Sequence, residues 1–168
     1  MLVNEDDSTW PGFLIDLDLA IKERRLKTSG AFDKTGTKVF MAIGALAGKL
    51  HSFMHDLESF FWVLLWICIH YNGPNEPPRV VSRFENWNYM DTDQLAIMKA
   101  GIVTKHPFLT TMIEHVTPYF QPLIPWLWQL RMKVFPNGQE WEIEDEGLYE
   151  DMRKILRAAM LDPEVLAE

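Results

Sequence analysis

Three carboxylates and one hydroxyl stand where they could do chemistry. Asp16 and Asp18 follow the short apolar run Gly12-Phe13-Leu14-Ile15. A carboxylate at the end of a strand, beside a loop, is well placed for Mg²⁺, a hard cation that prefers oxygen ligands. Thr37 lies in Gly36-Thr37-Lys38-Val39-Phe40-Met41-Ala42, and Asp56 opens the apolar segment Asp56-Leu57-Glu58-Ser59-Phe60-Phe61. Each residue also has a plain structural role open to it. Asp16 can end a strand, Thr37 can bond its own backbone, and Asp56 can cap a helix. His51 and His55 are four apart at a helix start, a spacing that suits zinc, but no third ligand is evident nearby. Thr28, Ser29 and Thr35 are hydroxyls in a charged loop, and nothing in the sequence marks them as modified.

The elements that must position these residues can be read from pattern. Gly12 to Asp16 reads as a short buried strand, with no other convincing strand to pair with it. Residues 20–36 read as a loop. Ser52 to Tyr71 reads as a helix that is apolar on every face and therefore buried on every face. It stops at Asn72-Gly73-Pro74. Residues 72–91 form a long connection with Pro74, Pro77 and Pro78, and connections of that length are usually functional or cover something. Asp91 or Thr92 caps a helix running to about residue 105. Pro107 to Val116 starts another, and Pro118 to Val134 is aromatic and apolar, with Pro122 and Pro125 near its start. Asp145 to Leu161 reads as an amphipathic helix with Leu148, Met152, Ile155, Leu156 and Met160 on one face.

Composition narrows the class. The 168 residues are 48% hydrophobic and 24% charged, enough for one globular domain with a core. Seven Trp and ten Phe supply large core side chains. A net charge of −8 argues against nucleic-acid binding, since the basic cluster is confined to Lys22, Arg24, Arg25 and Lys27. Glu140, Glu142, Glu144, Asp145, Glu146, Glu150 and Asp151 crowd one stretch, which reads as a solvated face opening a helix. A single cysteine, Cys68, excludes an internal disulfide and sits in an apolar run as a core residue. The run Phe60–Ile69 is about half the length that spans a bilayer, and Asn4, Glu5, Asp6 and Asp7 do not fit a signal peptide. The expected setting is intracellular, cytoplasm or nucleus, with no membrane and no nucleic-acid partner.

The order of these landmarks resembles that of protein kinases: an aspartate ending a strand, a charged loop, G-T-x-x-(F/Y)-x-A, then an aspartate opening a central helix. From Gly36 to Ser59 the spacing is similar to the casein kinase family. The wording of L-I-D-L-D-L-A-I, T-G-T-K-V-F-M-A and H-S-F-M-H-D-L-E-S-F-F-W-V-L-L-W-I is most similar to the fungal-type protein kinase family, over roughly residues 12–105. Asn86-Trp87 resembles that family's tryptophan-containing loop. The resemblance implies a mainly α fold, a partial kinase C-terminal lobe with one short N-terminal strand and about five helices. It divides the chain into an acidic lead-in at 1–11, the partial lobe at 12–161 and a tail at 162–168. It gives Asp16 the metal and cofactor role, with Asp18 as a second carboxylate where kinases at large have glycine. It gives Thr37 the substrate site, and makes Asp56 the buried aspartate that holds the catalytic-loop backbone. Thr28, Ser29 and Thr35 then lie in the activation loop.

The resemblance also has gaps. Ile43 and Gly44 follow Ala42, so the glutamate of A-P-E is missing. The Gly-rich loop, the strand lysine and the H-R-D-x-x-x-x-N loop do not occur in the sequence, so no catalytic aspartate is present. ATP and Mg²⁺ are therefore expected to serve the complete domain and not to bind stably to this chain alone, which is expected to be inactive by itself. Its expected partners are a protein substrate or the N-lobe portion of the kinase. The apolar central helix leads us to expect an exposed patch and self-association. The alternative is a degenerate kinase lobe that acts as a protein-binding scaffold.

Overall fold

The computed structural model describes residues 2–3, 12–13 and 37–167. The chain falls into two units, residues 1–33 and 34–168. In the first, β1 (Leu2–Val3) pairs antiparallel with β2 (Gly12–Phe13), Leu2 opposite Phe13 and Val3 opposite Gly12. The expected strand at Gly12 therefore has a partner that sequence pattern did not reveal. Residues 14–16 lie outside the described residues.

The second unit is helical among the described residues. Five helices have eleven residues or more: α2 (Phe53–His70), α4 (Thr92–Ile102), α5 (Lys105–His115), α6 (Ile124–Val134) and α7 (Gly147–Met160). Single turns form α1 (Ile43–Leu46), α3 (Ser82–Glu85) and α8 (Pro163–Leu166). The expectation of a mainly α chain with about five helices holds.

Local chemistry sets these boundaries. Ser52 caps α2: its Oγ accepts from the Met54 amide at 3.2 Å, and His55 Nδ1 accepts from the Ser52 amide at 3.2 Å. This is a capping box with histidine in the usual place of glutamate. At the other end the last carbonyls all find donors. Thr117 donates its amide to Cys68 O and its hydroxyl to Tyr71 O, while Arg79 donates its amide to His70 O and its Nε to Ile69 O. Orphan carbonyls at a helix end are costly when buried, and the 72–91 connection supplies Arg79 for two of them. The same connection folds Phe84 and Trp87 into the core. Asp91 caps α4 through the Gln94 amide at 2.8 Å. Pro107 sits in the first turn of α5, where its missing N–H would be unpaired anyway.

The core is built around α2. Phe61 lies edge-on to Trp62 and Phe135 at 5.2 Å and tilted against Phe108 at 5.9 Å. Trp62 meets Trp87 edge-on at 5.8 Å. Offset and edge-on pairs of this kind add to the burial of the rings themselves.

Three expectations need correction. The central helix is not buried all round: Phe60 is 56% and Ile67 is 37% exposed, while Glu58 is fully buried. On α7 the core face is Leu148, Met152, Ile155 and Ala159, whereas Leu156 and Met160 are exposed. Those two lie about 100° round the helix from the face that packs on α6. The acidic stretch is also more than a solvated face. Glu140 accepts from Lys49 Nζ at 2.8 Å and Glu144 from Ser52 Oγ at 2.6 Å. With Tyr149 stacked on Phe53 at 5.5 Å, these contacts tie the segment before α7 to the start of α2.

Candidate functional site

The segment that begins at Thr37 can be followed residue by residue. Thr37 is exposed and precedes a 3-10 turn at Lys38–Phe40. The turn closes with Phe40 N–H to Thr37 O at 2.9 Å and Met41 N–H to Lys38 O at 3.2 Å. Val39 points into the core, and Phe40 lies edge-on to Trp66 at 5.7 Å. Lys38 Nζ donates to the Met90 carbonyl. The turn is thus seated on α2 and on the end of the tryptophan loop, with Thr37 facing out.

Beneath it lie two charged residues that sequence reading passed over. Glu58 on α2 and Lys99 on α4 are both fully buried. Glu58 Oε1 accepts from the Ile43 amide at 2.7 Å and from Trp62 Nε1 at 2.9 Å. Lys99 Nζ donates to Met41 O at 2.6 Å and lies 4.5 Å from the Trp62 ring and 5.4 Å from the Trp87 ring. Burial raises the Glu58 carboxyl to about 7, opposed by its hydrogen bonds and by the Lys99 charge. Burial likewise lowers the Lys99 amine to about 7, opposed by Glu58. Desolvation disfavours each charge, and each charge favours the other. A signal for the pair exists in the sequence. Glu58 shares a face with Trp62, Leu65 and Ile69, and Lys99 with Leu95 and Ile102, so each is a lone charge at core spacing.

The start of α2 holds a second cluster. Asp56 was expected to be buried, but its side chain is 60% exposed and pairs with His51 at 3.3 Å. It follows His55, which faces the 140–141 segment, and so points about 100° away from that contact. Nor does Asp56 cap α2, because Ser52 does. His55 is buried against Trp141, and burial lowers its pKa. Gly44 is closely approached: a Cβ there would crowd Glu140 Oε1 and His55 Nε2, so those side chains would have to shift. Among the described residues no group of three or more metal-ligating side chains comes together. Asp16, Asp18, Thr28, Ser29 and Thr35 lie outside the described residues.

Other features are structural. Cys68 is fully buried, and burial pushes its thiol up to about 12, so it is inert at neutral pH. An open recess of about 490 Å³ is lined by Lys105, Trp128, Arg131, Met132 and Asn137. Its buried arginine is engaged, with Arg131 Nε donating to Val103 O at 2.6 Å at the end of α4. No described helix is long and apolar enough to cross a membrane.

Residues 1–68 match the family model for the fungal protein kinase. That span, about two fifths of the chain, is similar to the fungal protein kinase family. No curated protein and no solved structure matches the chain. The fungal kinase match begins before the expected Gly12 and ends within α2 at Cys68, short of residue 105. It includes Asp16, Asp18, Thr37, Asp56 and Glu58, whereas Lys99 and the helices from α3 onward lie beyond it.

Proposed function

We propose that this chain is the C-lobe portion of a fungal-type serine/threonine protein kinase. In the complete domain such an enzyme moves the terminal phosphoryl group of ATP to a protein hydroxyl. The observation that carries this reading is the family match that spans Asp16, Asp18, the Thr37 segment and most of α2. The exposed Thr37 turn, seated on that helix, supports it. In this reading Asp16 holds the metal, with Asp18 beside it, Thr37 meets the protein substrate, and Asp56 contacts the catalytic-loop backbone. Mg²⁺ neutralises the charge that spreads over the transferred phosphoryl oxygens. The Gly-rich loop, strand lysine and catalytic-loop aspartate are not among these 168 residues, so the chain by itself transfers nothing.

The test is phosphoryl transfer from ATP to protein by the natural protein that carries this sequence, compared with its Asp16→Asn variant. The expected result is transfer by the wild type and a loss of about 100-fold or more in the variant, because phosphoryl transfer depends on the metal's position. Equal rates in the two proteins, or no transfer by the wild type, contradict the reading.

A further inference from the structure

The backbone that follows the Thr37 turn is gripped at two points by opposite charges. At Ile43 an amide donates to buried Glu58 at 2.7 Å, and at Met41 a carbonyl accepts from buried Lys99 at 2.6 Å. Trp62 joins the two, donating to the same Glu58 oxygen and setting its ring 4.5 Å from Lys99 Nζ. Hydrogen bonds made by charged partners are roughly twice as strong as neutral ones.

Stability alone does not explain this arrangement. Replacing a buried ion pair with apolar residues of the same size is often neutral or stabilising. Two apolar side chains, however, could not hold an amide and a carbonyl of the same short segment. Nor is the segment held by a side chain of its own at 44, where glycine stands and a Cβ would crowd Glu140 and His55. The hold passes directly to the turn, because the Met41 amide closes it by donating to Lys38 O at 3.2 Å.

We propose that Glu58 and Lys99 are positioning residues that fix the backbone of Met41–Ile43 and thereby set how the Thr37–Phe40 turn is presented to a protein substrate. The substrate part rests on the kinase reading; the clamp itself does not.

Two measurements separate them. The first is amide hydrogen exchange in the 168-residue chain. Lys99→Met and Glu58→Leu each remove one grip, whereas Glu58→Gln keeps an acceptor for Ile43 and Trp62. Exchange across Ile43–Ala47 should rise about ten-fold or more in the first two. Measured against α6 and α7, whose amides report the global stability of each variant, it should stay close to wild type in Glu58→Gln. The double variant Glu58→Gln/Lys99→Met carries no buried charge and serves if a single variant fails to fold; it should still exchange fast at this segment alone. Uniform acceleration throughout the chain, or wild-type protection of Ile43–Ala47 in Lys99→Met or in the double variant, overturns the clamp. The second is steady-state kinetics of the natural protein. Lys99→Met should raise the KM for protein substrate about ten-fold and leave the KM for ATP unchanged. Equal shifts in both constants, or none, overturn the positioning role. A wild type with no transfer at all overturns the kinase reading and with it the substrate part, and the exchange result then decides the clamp.

Discussion

Helices α2 and α7 are both rich in apolar residues, yet they are covered in different ways. On α7 a single face meets α6 and α2, and its buried residues Leu148, Met152, Ile155 and Ala159 follow helical spacing with polar residues between them. On α2 the pattern gives no such direction. Phe61, Trp62 and Leu65 are fully buried, Phe60 is 56% exposed, and the fully buried Glu58 lies among them. A helix with one packed face declares that face through its period. A helix contacted from several sides does not, because its orientation is set by partners far away in sequence.

The contrast can be tested first within α2. Phe61→Ala empties a ring site bordered by Trp62, Phe108 and Phe135 and should cost about 3–5 kcal/mol. Phe60→Ala, one residue away and exposed, should stay within about 0.5 kcal/mol. Urea denaturation of both variants measures the difference, and similar costs would mean that the two faces of α2 are not distinct. On α7 the same comparison sets Leu148→Ala, at about 2–5 kcal/mol, against Leu156→Ala, below about 1 kcal/mol. If Leu156 proved the costlier, the core face would be the one that sequence pattern suggested.

A smaller effect comes from the Lys99 ionisation. Its folded pKa is lowered to about 7 from 10.5. Between those values the unfolded chain binds more protons than the folded one, so stability rises with pH across that window. The cost of burying the charged amine is full below about 7 and fades toward 10.5. Lys99→Met should remove this slope. The urea midpoints of the two proteins, compared at pH 7.5 and 9.5, report it, and parallel pH dependence would show that Lys99 does not titrate in this range.

Much of the fold was legible in sequence. The bounds of α2 and the cap at Asp91 follow from apolar pattern and local chemistry, an Asn-Gly-Pro stop and an Asp cap among them, although the residue offered as a cap for α2 was Asp56 and Ser52 does the capping. Less of the candidate site was legible. Thr37 was picked out by its motif, whereas Glu58 was passed over as one letter of D-L-E-S and Lys99 was not singled out within its helix. Their burial depends on α4 packing beside α1 and on Trp87 folding in from the 72–91 connection. The exposure of Asp56 depends likewise on which side of α2 the 140–144 segment approaches. The partner strand Leu2–Val3 is two residues long, too short for its alternation to register.

The measurement closest to the centre of this account is a double-mutant cycle on Glu58 and Lys99, read by reversible urea denaturation at pH 7. Lys99→Met leaves Glu58 buried without its counter-charge and should cost about 3–5 kcal/mol, and Glu58→Gln strands Lys99 in the same way. If the two charges sustain each other beneath Met41–Ile43, the double variant will be more stable than Lys99→Met alone. A double variant that loses the full sum of the two single losses would show that Glu58 and Lys99 act separately, and the paired clamp would be wrong.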